Sequence, residues 1–377
     1  MAGLLTVLAL AACGSNTEGT TGTSEPSPPP PPATRPASFG VGIETLTFVD
    51  HSRTTLDPLT NTQTPGRVLV TQIRYPTLAG APGAESVDAK PASAYGPFPV
   101  VEFAHGYDTD PSVYAPLLDA WVRAGFVVVS PVFPDESSAA IARFGGRESN
   151  ASLEAESKDV PNEPGDMAFV LHRFAALDEP PAGTFRSRLA GIADLSKVAV
   201  AGQSDGANVV AALGFGSAYA STWASISPRP RAVLVLSGST LPDGPGGATN
   251  SYSSGPDSPD VLQVQSDADV CNVPVQALSL YNDLAGAPVH LFELLHGATH
   301  LEPYTNVVPG TNPFGPVVQR VTTDFLRLAL QYQAAGLSVS SVIAAGSDSI
   351  SKMLVSPDQV RAAIPGTVQP DVQGCFT

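Results

Sequence analysis

The chain has 377 residues, of which 43% are hydrophobic and 14% are charged, so it has enough apolar material for a large core. Its formal net charge is −16, with 19 Lys and Arg against 35 Asp and Glu. Nucleic-acid binding and docking on an anionic membrane surface both need clustered Lys and Arg, and the sequence holds no such cluster. We therefore expect neither kind of partner.

The N-terminal residues have the pattern of an export signal. Residues 3–12 are apolar but too few to span a bilayer. Leu10-Ala11-Ala12-Cys13 then resembles a bacterial lipobox, although no Lys or Arg precedes the apolar stretch. We predict that residues 1–13 are a lipoprotein-type signal peptide and that Cys13 is lipidated, which gives an exported envelope protein whose only membrane contact is its lipid. An ordinary cleaved secretory signal is the alternative.

A low-complexity segment follows the signal. Residues 14–38 consist largely of Ser, Thr, Gly and Pro, with an unbroken run from Pro28 to Pro32. Such a composition cannot bury a core, so we predict a disordered tether. The remaining residues, 39–377, are expected to form one catalytic domain.

Strand and helix patterns alternate through most of that domain. Strands are predicted at residues 41–49, 67–75, 98–104, 126–129, 197–201, 232–236, 261–265 and 289–295. Helices are predicted at residues 116–124, 166–177, 275–285 and 317–334. Several of these strands are apolar throughout, which indicates burial on both faces. The pattern predicts an α/β fold, with a mostly parallel central sheet and helices on both of its faces.

Two segments do not fit this alternation. Residues 134–163 are polar, carry charges of both signs and show no clear period, so we predict a long excursion over the site or beside it. The last forty residues have no pattern that places them. With Cys13 set aside, Cys271 and Cys375 remain, and in an oxidising compartment they are expected to form one disulfide that ties the C-terminus to the domain. Two free buried thiols are the alternative.

One short motif carries a nucleophile. Gly202-Gln203-Ser204-Asp205-Gly206 follows an apolar strand and precedes a stretch of small and apolar residues. This is the form of a strand, a tight turn and a helix with Ser204 at the apex, and the glycines allow strand and helix to approach closely. Chance can supply the five-residue pattern in a chain with 34 glycines, so the flanking elements carry the prediction.

A serine hydroxyl needs a base and an orienting acid to act as a nucleophile. His300 lies in a loop just after the strand at 289–295, where it can reach the elbow. The acid is expected after the strand at 261–265, where Asp267 and Asp269 both stand, and strand alternation does not distinguish two residues that are two apart. The order Ser204, acid, His300 is the one expected of an α/β-hydrolase.

Two backbone N–H groups are needed to stabilise the negative charge that develops on the substrate oxygen. The residue after the serine, Asp205, supplies one. The second is expected from the loop after the strand at 98–104, which reads His105-Gly106-Tyr107, and we assign it to Tyr107. The ring of Tyr107 would then lie beside the acyl group of the substrate.

Four stretches give the chain a family resemblance. The chain resembles α/β-hydrolases such as cutinase-like polyester hydrolases, dienelactone-hydrolase-like proteins and platelet-activating-factor acetylhydrolases. The resemblance to their oxyanion loop lies at residues 103–107, and that to the helix-to-strand stretch after it lies at residues 120–128. The resemblance to their elbow lies at residues 198–206, and that to their histidine loop lies at residues 297–300. The resemblance covers roughly residues 40–335. It implies the α/β-hydrolase fold, ester hydrolysis without metal or organic cofactor, and Asp269, ahead of Pro274, as the acid.

The chain also departs from that family. Gln203 and Asp205 stand where His and a small or apolar residue are more usual. Leu236-Ser237-Gly238-Ser239 lacks the Trp that polyester hydrolases tend to carry there, which weakens a polyester specificity. The expected activity is hydrolysis of short- to medium-chain esters by a monomer, with polyesters as a further candidate substrate.

Three alternatives differ in chemistry. An acyltransferase would use the same three residues, and an inactive envelope lipoprotein would bind a ligand without turnover. A metal hydrolase would use His296 and His300 with Asp267 and Asp269. That stretch lacks the Glu of a zincin and lies in a glycine-containing loop rather than on a helix, which argues against a metal site.

Overall fold

A computed structural model describes residues 35–80, 84–180, 187–227, 229–241, 243–306, 312–364, 366, 368–371 and 375. The predicted signal peptide, Cys13 and the tether up to residue 34 lie outside these residues. Pro36–Thr377 is one compact unit. Within the described ranges, no helix is both long enough and apolar enough to cross a membrane.

The centre of the unit is one β-sheet. Over the described residues its strands are β1 Gly40–Asp57, β2 Thr62–Thr77, β3 Glu85–Val87, β4 Phe98–Ala104, β5 Val127–Val132, β6 Ala193–Gln203, β7 Ala232–Leu236, β8 Asp260–Ser266, β9 His290–Leu295 and β10 Ser351–Leu354. Their order across the sheet is β10-β9-β8-β7-β6-β4-β5-β2-β1-β3. All eight predicted strands are present.

The middle of the sheet is parallel. Neighbouring strands run parallel from β5 through β4, β6, β7 and β8 to β9, whereas β2 pairs antiparallel with β5 and with β1. The chain leaves β4 to one side to form β5 and returns to its other side to form β6. Such a reversal leaves a crevice at the carboxyl ends of the two strands, which is where open α/β sheets bind ligands. This is the α/β-hydrolase fold.

Both faces of the sheet are covered, as the continuous apolar strands predicted. Alternate residues of β6 contribute to opposite cores, with Val198 and Val200 in one and Ala199 and Ala201 in the other. The helices are α1 Ala115–Arg123, α2 Ser138–Phe144, α3 Asn150–Asp159, α4 Glu163–Asp178, α5 Asp205–Phe215, α6 Ala220–Ser225, α7 Pro274–Asp283, α8 Gly315–Ala329, α9 Val339–Ala345 and α10 Pro357–Ala363. α4 and α5 pack in the first core, and α1 and α8 pack in the second.

The excursion at 134–163 is more regular than its sequence suggested, because it contains α2, α3 and the start of α4. The side chains of Ser137 and Ser149 cap α2 and α3 by accepting hydrogen bonds from Ala140 N and Ser152 N. α3 buries Ser152, Ala155 and Asp159, which are small or polar. It therefore has no hydrophobic period from which sequence reasoning could have predicted a helix.

A buried ion-pair network holds this excursion against the sheet. Arg67 on β2 is 1% exposed, and its guanidinium lies 2.5 Å from Asp159 Oδ1 on α3 and 2.5 Å from Asp166 Oδ2 on α4. Arg53 on β1 adds a contact of 2.6 Å to Asp166 Oδ1. Removing one member would leave buried charge uncompensated, so the network strongly specifies where α3 lies even if its net stabilisation is small.

The final residues extend the sheet. β10 pairs antiparallel with β9, and α9 and α10 flank it in sequence. Val360 and Ile364 of the α10 region pack with Tyr281, Phe292 and Leu354 in a separate small core. The C-terminal region thus packs back onto the domain, as the position of Cys375 had suggested.

Candidate active site

Ser204 lies on a sharp turn between β6 and α5. Its backbone has φ 57° and ψ −123°, a conformation that costs energy in a residue with a side chain. A Cβ atom on Gly202 would lie 2.1 Å from Gly206 O, and one on Gly206 would lie 2.2 Å from Ala104 O. The two glycines are therefore required sterically, and the close packing that they allow holds the strained turn in place.

Parallel strands place three side chains at one edge of the sheet. Ser204 follows β6, Asp269 follows β8 and His300 follows β9. His300 Nε2 lies 2.8 Å from Ser204 Oγ, and His300 Nδ1 lies 2.9 Å from Asp269 Oδ2. His300 is 2% exposed and Asp269 is fully buried. An acid, an imidazole and a hydroxyl are thus hydrogen-bonded in sequence, which is the arrangement that general-base activation of a serine requires.

The two candidate acids lie in different surroundings. Asp269 Oδ1 also accepts hydrogen bonds from the backbone N–H groups of Cys271 and Asn272, at 2.9 and 3.2 Å. Asp267 instead contacts His296 Nδ1 at 2.8 Å, and the two side chains of this pair are 27% and 45% exposed. Both aspartates follow Ser266, the last residue of β8, so their surroundings depend on the loop and not on strand alternation.

The loop after β4 lies against Ser204. A Cβ added to Gly106 would be 2.8 Å from Ser204 Cβ, so the loop and the elbow are in close contact. Gly106 N–H donates a hydrogen bond to Tyr114 Oη at 3.2 Å. Tyr107, the next residue, lines the same cavity as Ser204 and Asp205. This position is compatible with the role that the sequence assigned to the Tyr107 and Asp205 N–H groups.

A cavity of about 280 Å³ opens at Ser204 and His300. Its walls come from the loop after β4, the excursion, the loops after β8 and β9, and the C-terminal region. Beyond Ser204, Asp205 and His300 it is lined by Tyr107, Arg147, Leu153, Glu156, Gln203, Val270, Cys271, Asn272, Leu301, Pro370 and Cys375. Sequence reasoning did not assign wall residues in the excursion or at the C-terminus, because both belong to segments without a family pattern.

The wall contributed by the excursion is attached to the loop after β4. Tyr107 Oη donates a hydrogen bond to Arg147 O at 2.8 Å, and the guanidinium of Arg147 pairs with Asp108. Leu153 and Glu156 lie on α3, further along the same wall. The excursion predicted to lie over or beside the site therefore forms one side of it.

Two carboxyl groups share the cavity. Burial, together with the smaller influence of the nearby Asp205 carboxylate, raises the pKa of Glu156 to about 7. Burial also raises the pKa of Asp205, against the opposing influence of His300 and a hydrogen bond from Asn208. Glu136 lies behind them, fully buried, and its pKa is raised well above the usual value by burial and by the charges of Asp205 and Glu156. Each of these groups therefore retains its proton to higher pH than a carboxyl in water.

Cys271 and Cys375 form a disulfide, with their Cα atoms 4.9 Å apart and a sequence separation of 104. Asp371 N, just before Cys375, donates a hydrogen bond to Val270 O at 2.9 Å. Because Cys271 N donates to Asp269, the disulfide joins the C-terminal region directly to the loop that holds the buried acid. Among the described residues, no group of three or more His, Cys, Asp or Glu could hold a metal ion.

No protein-family model matches the chain, and no curated protein is similar to it in sequence. Among solved structures, the chain is similar to a ferulic acid esterase from Streptomyces cinnamoneus. The two are 18% identical, with a TM-score of 0.49, and the alignment covers 92% of this chain and 96% of that chain. A similarity of this degree says nothing about function.

We predict that the disulfide stabilises the domain. Replacing both Cys271 and Cys375 with Ser should lower the free energy of unfolding by about 2–4 kcal/mol, because the unfolded chain loses a long covalent loop. Urea unfolding with and without dithiothreitol measures this. Dithiothreitol should destabilise the parent and leave the double variant unchanged. An equal response in both proteins would contradict the prediction.

We also predict that Glu156 makes stability depend on pH. An unfolded glutamate has a pKa of about 4.3, so the higher pKa in the fold stabilises the native state at low pH. That contribution is complete below about pH 4 and is lost as the pH rises through about 7. Glu156→Gln should therefore flatten the fall in urea midpoint between pH 5 and pH 8. Other buried carboxyls, such as Asp135 with its pKa near 7, preserve part of the slope.

Glu154→Gln is the matched control for this measurement. Glu154 lies on the same helix two residues earlier, where it pairs with Lys158 at the surface. Its substitution should leave the slope close to that of the parent. A Glu156→Gln profile as steep as the parent's would show that this carboxyl does not contribute to the pH dependence.

Proposed function

We propose that the chain is a serine carboxylic-ester hydrolase that acts through an acyl-enzyme. The observation that carries the proposal is the continuous hydrogen-bonded series from Asp269 through His300 to Ser204, at the mouth of a cavity and on a strained elbow. A buried Asp–His pair can also be structural. A serine in an unfavourable backbone conformation beside that pair is much harder to explain without a reaction.

In the first half of the proposed reaction, Ser204 Oγ attacks the carbonyl carbon of the ester while His300 Nε2 accepts its proton. Asp269 holds the imidazole in the tautomer that presents Nε2 to the serine, and it stabilises the imidazolium that forms. The N–H groups of Tyr107 and Asp205 donate hydrogen bonds to the oxyanion. The tetrahedral intermediate then expels the alcohol, which takes the proton from His300, and leaves an acyl group on Ser204.

In the second half, a water molecule takes the place of the alcohol. His300 accepts a proton from this water as its oxygen attacks the acyl carbon. Collapse of the second tetrahedral intermediate breaks the bond to Ser204 Oγ, which recovers its proton from His300. The products are a carboxylic acid and the regenerated serine.

The cavity supports a preference for short- to medium-chain monomeric esters. Its apolar lining includes Leu153, Leu301 and Tyr107, and its polar lining includes Arg147 and Glu156. The excursion and the C-terminal region bound it on two sides, which leaves less room for a polymer chain than an open groove. Together with the missing Trp after β7, this favours small esters over polyesters.

We further propose that the protein is exported, on the N-terminal sequence described above and on the disulfide. A disulfide between residues so far apart is stable in an oxidising compartment and uncommon in the cytosol. Lipidation at Cys13 and a monomeric state belong to the same proposal.

The experiment that tests the function is hydrolysis of p-nitrophenyl esters of acyl chains from two to twelve carbons. The parent should release p-nitrophenol fastest with short to medium chains, and EDTA should not reduce the rate. Ser204→Ala should abolish the activity and also the covalent labelling by a fluorophosphonate. Activity that is abolished by EDTA, or that survives Ser204→Ala, would overturn the proposal. An ester product that exceeds the free acid when the alcohol is far more dilute than water would indicate acyl transfer instead of hydrolysis.

The identity of the acid has its own test in two neighbouring aspartates. Asp269→Asn should lower kcat by a factor on the order of ten thousand, because the amide favours the wrong tautomer of His300. Asp267→Asn is the matched control, since it removes the same charge from the solvent-exposed pair with His296. It should change kcat by less than about threefold. Reversal of the two results would make Asp267 the acid.

A further inference from the structure

Gln203 precedes the proposed nucleophile, at a position where the sequence departs from the resembling family. It is the last residue of β6, and its side chain is fully buried. The amide nitrogen lies 3.3 Å from His300 Nε2 and 3.3 Å from His300 O. Gln203 therefore contacts the proposed base at both its ring and its backbone.

Tyr114 fixes the orientation of this amide. The Tyr114 hydroxyl, also fully buried, donates a hydrogen bond to Gln203 Oε1 at 2.7 Å. Because that contact occupies the amide oxygen, the amide nitrogen must point towards His300. The orientation follows from the hydrogen-bond partners, since a phenol that donates here needs an acceptor opposite it.

The same hydroxyl reaches the oxyanion loop. Tyr114 Oη accepts the hydrogen bond from Gly106 N–H at 3.2 Å and lies 3.1 Å from Thr109 Oγ1. Thr109 Oγ1 in turn donates to Gly106 O, so the peptide groups on both sides of the turn before Tyr107 are held. A buried series of hydrogen bonds thus runs from the oxyanion loop through Tyr114 and Gln203 to His300.

We propose that Tyr114 and Gln203 are a pair of positioning residues that hold the oxyanion loop and His300 in register with each other. The proposal rests on the proposed esterase function. Catalysis requires the base and the oxyanion donors to be correctly positioned at the same time, and a small displacement of either lowers the rate considerably. The two groups lie on loops after different strands, β4 and β9, which are not neighbours in the sheet. The Tyr114–Gln203 contact links these loops across the end of β6.

The test is a double-mutant cycle with Tyr114→Phe and Gln203→Met, assayed on a p-nitrophenyl ester that the parent hydrolyses. Tyr114→Phe removes one oxygen, and Gln203→Met removes the amide at similar volume. Each should lower kcat by about 10- to 100-fold with KM changed less than about twofold. The kcat of the double variant should lie within about threefold of the kcat of the slower single variant, because each change breaks the same series of hydrogen bonds.

Tyr304→Phe is the matched control. Tyr304 is also a fully buried tyrosine at this edge of the sheet, but its hydroxyl contacts Ser237 Oγ at 3.0 Å and Val264 O, outside the series. It should lower thermal stability to a degree similar to Tyr114→Phe and leave kcat within about threefold of the parent. The comparison therefore distinguishes a variant that is only less stable from one in which the catalytic groups are also displaced.

The outcomes distinguish this inference from the function on which it rests. If the parent's activity does not depend on Ser204, the proposed function fails. If activity depends on Ser204 but Tyr114→Phe reduces kcat no more than Tyr304→Phe does, the positioning role alone is overturned. Single effects that multiply in the double variant would also overturn it, since they would show that the two residues act separately. If Gln203→Met does not fold, the comparison of Tyr114→Phe with Tyr304→Phe decides the question.

Discussion

The site depends on a close approach of backbones where β6 meets α5. Gly206 packs against the carbonyl of Ala104 on β4, and Gly202 packs against Gly206 itself, so neither position has space for a methyl group. This packing compensates for the positive φ of Ser204, whose hydroxyl lies 2.8 Å from His300 Nε2. It also brings the start of α5 and the end of β4 together, which places Asp205 and the loop before Tyr107 on the same side of the hydroxyl. The proposed nucleophile and the proposed oxyanion donors therefore share one structural cause.

Parallel strands bring together the other residues of the proposed active site. Because β4, β6, β8 and β9 all run in the same direction, their carboxyl ends form one edge, and loops that are far apart in sequence meet there. The sheet alone does not set distances of 3 Å between loops. Those distances come from local hydrogen bonds: two backbone N–H groups fix Asp269, and the Gln203 amide contacts His300. Strand direction brings the groups to the same edge, and buried polar contacts give them their final geometry.

The sequence was sufficient to predict the elements that depend on the periodicity of apolar residues or on a short steric motif. The buried strands, the helices that cover them and the elbow were predicted for that reason, and the structure has all of them. It was insufficient to predict the elements whose buried side chains are polar. α3 was missed because its inward face carries Ser152, Ala155 and Asp159, and Asp159 is buried only because Arg67, far away in sequence, pairs with it. The choice between Asp267 and Asp269 followed from the resemblance and not from the pattern, because their different surroundings depend on loops that the pattern does not describe.

The residues of the proposed reaction and the residues that line the cavity are held in place by largely different contacts. The residues that would carry the reaction are held by the sheet and by buried hydrogen bonds at its edge. The walls of the cavity are attached differently: the excursion is held by the Arg67 ion pairs and by Tyr107, and the C-terminal region is held by the disulfide. Changes in either wall can alter which esters enter without moving Ser204 relative to His300. Tyr107 and the disulfide each belong to both systems, because Tyr107 also carries a proposed oxyanion N–H and Cys271 also donates its N–H to Asp269. Loss of the disulfide is therefore the change that would affect the proposed acid and the cavity wall together.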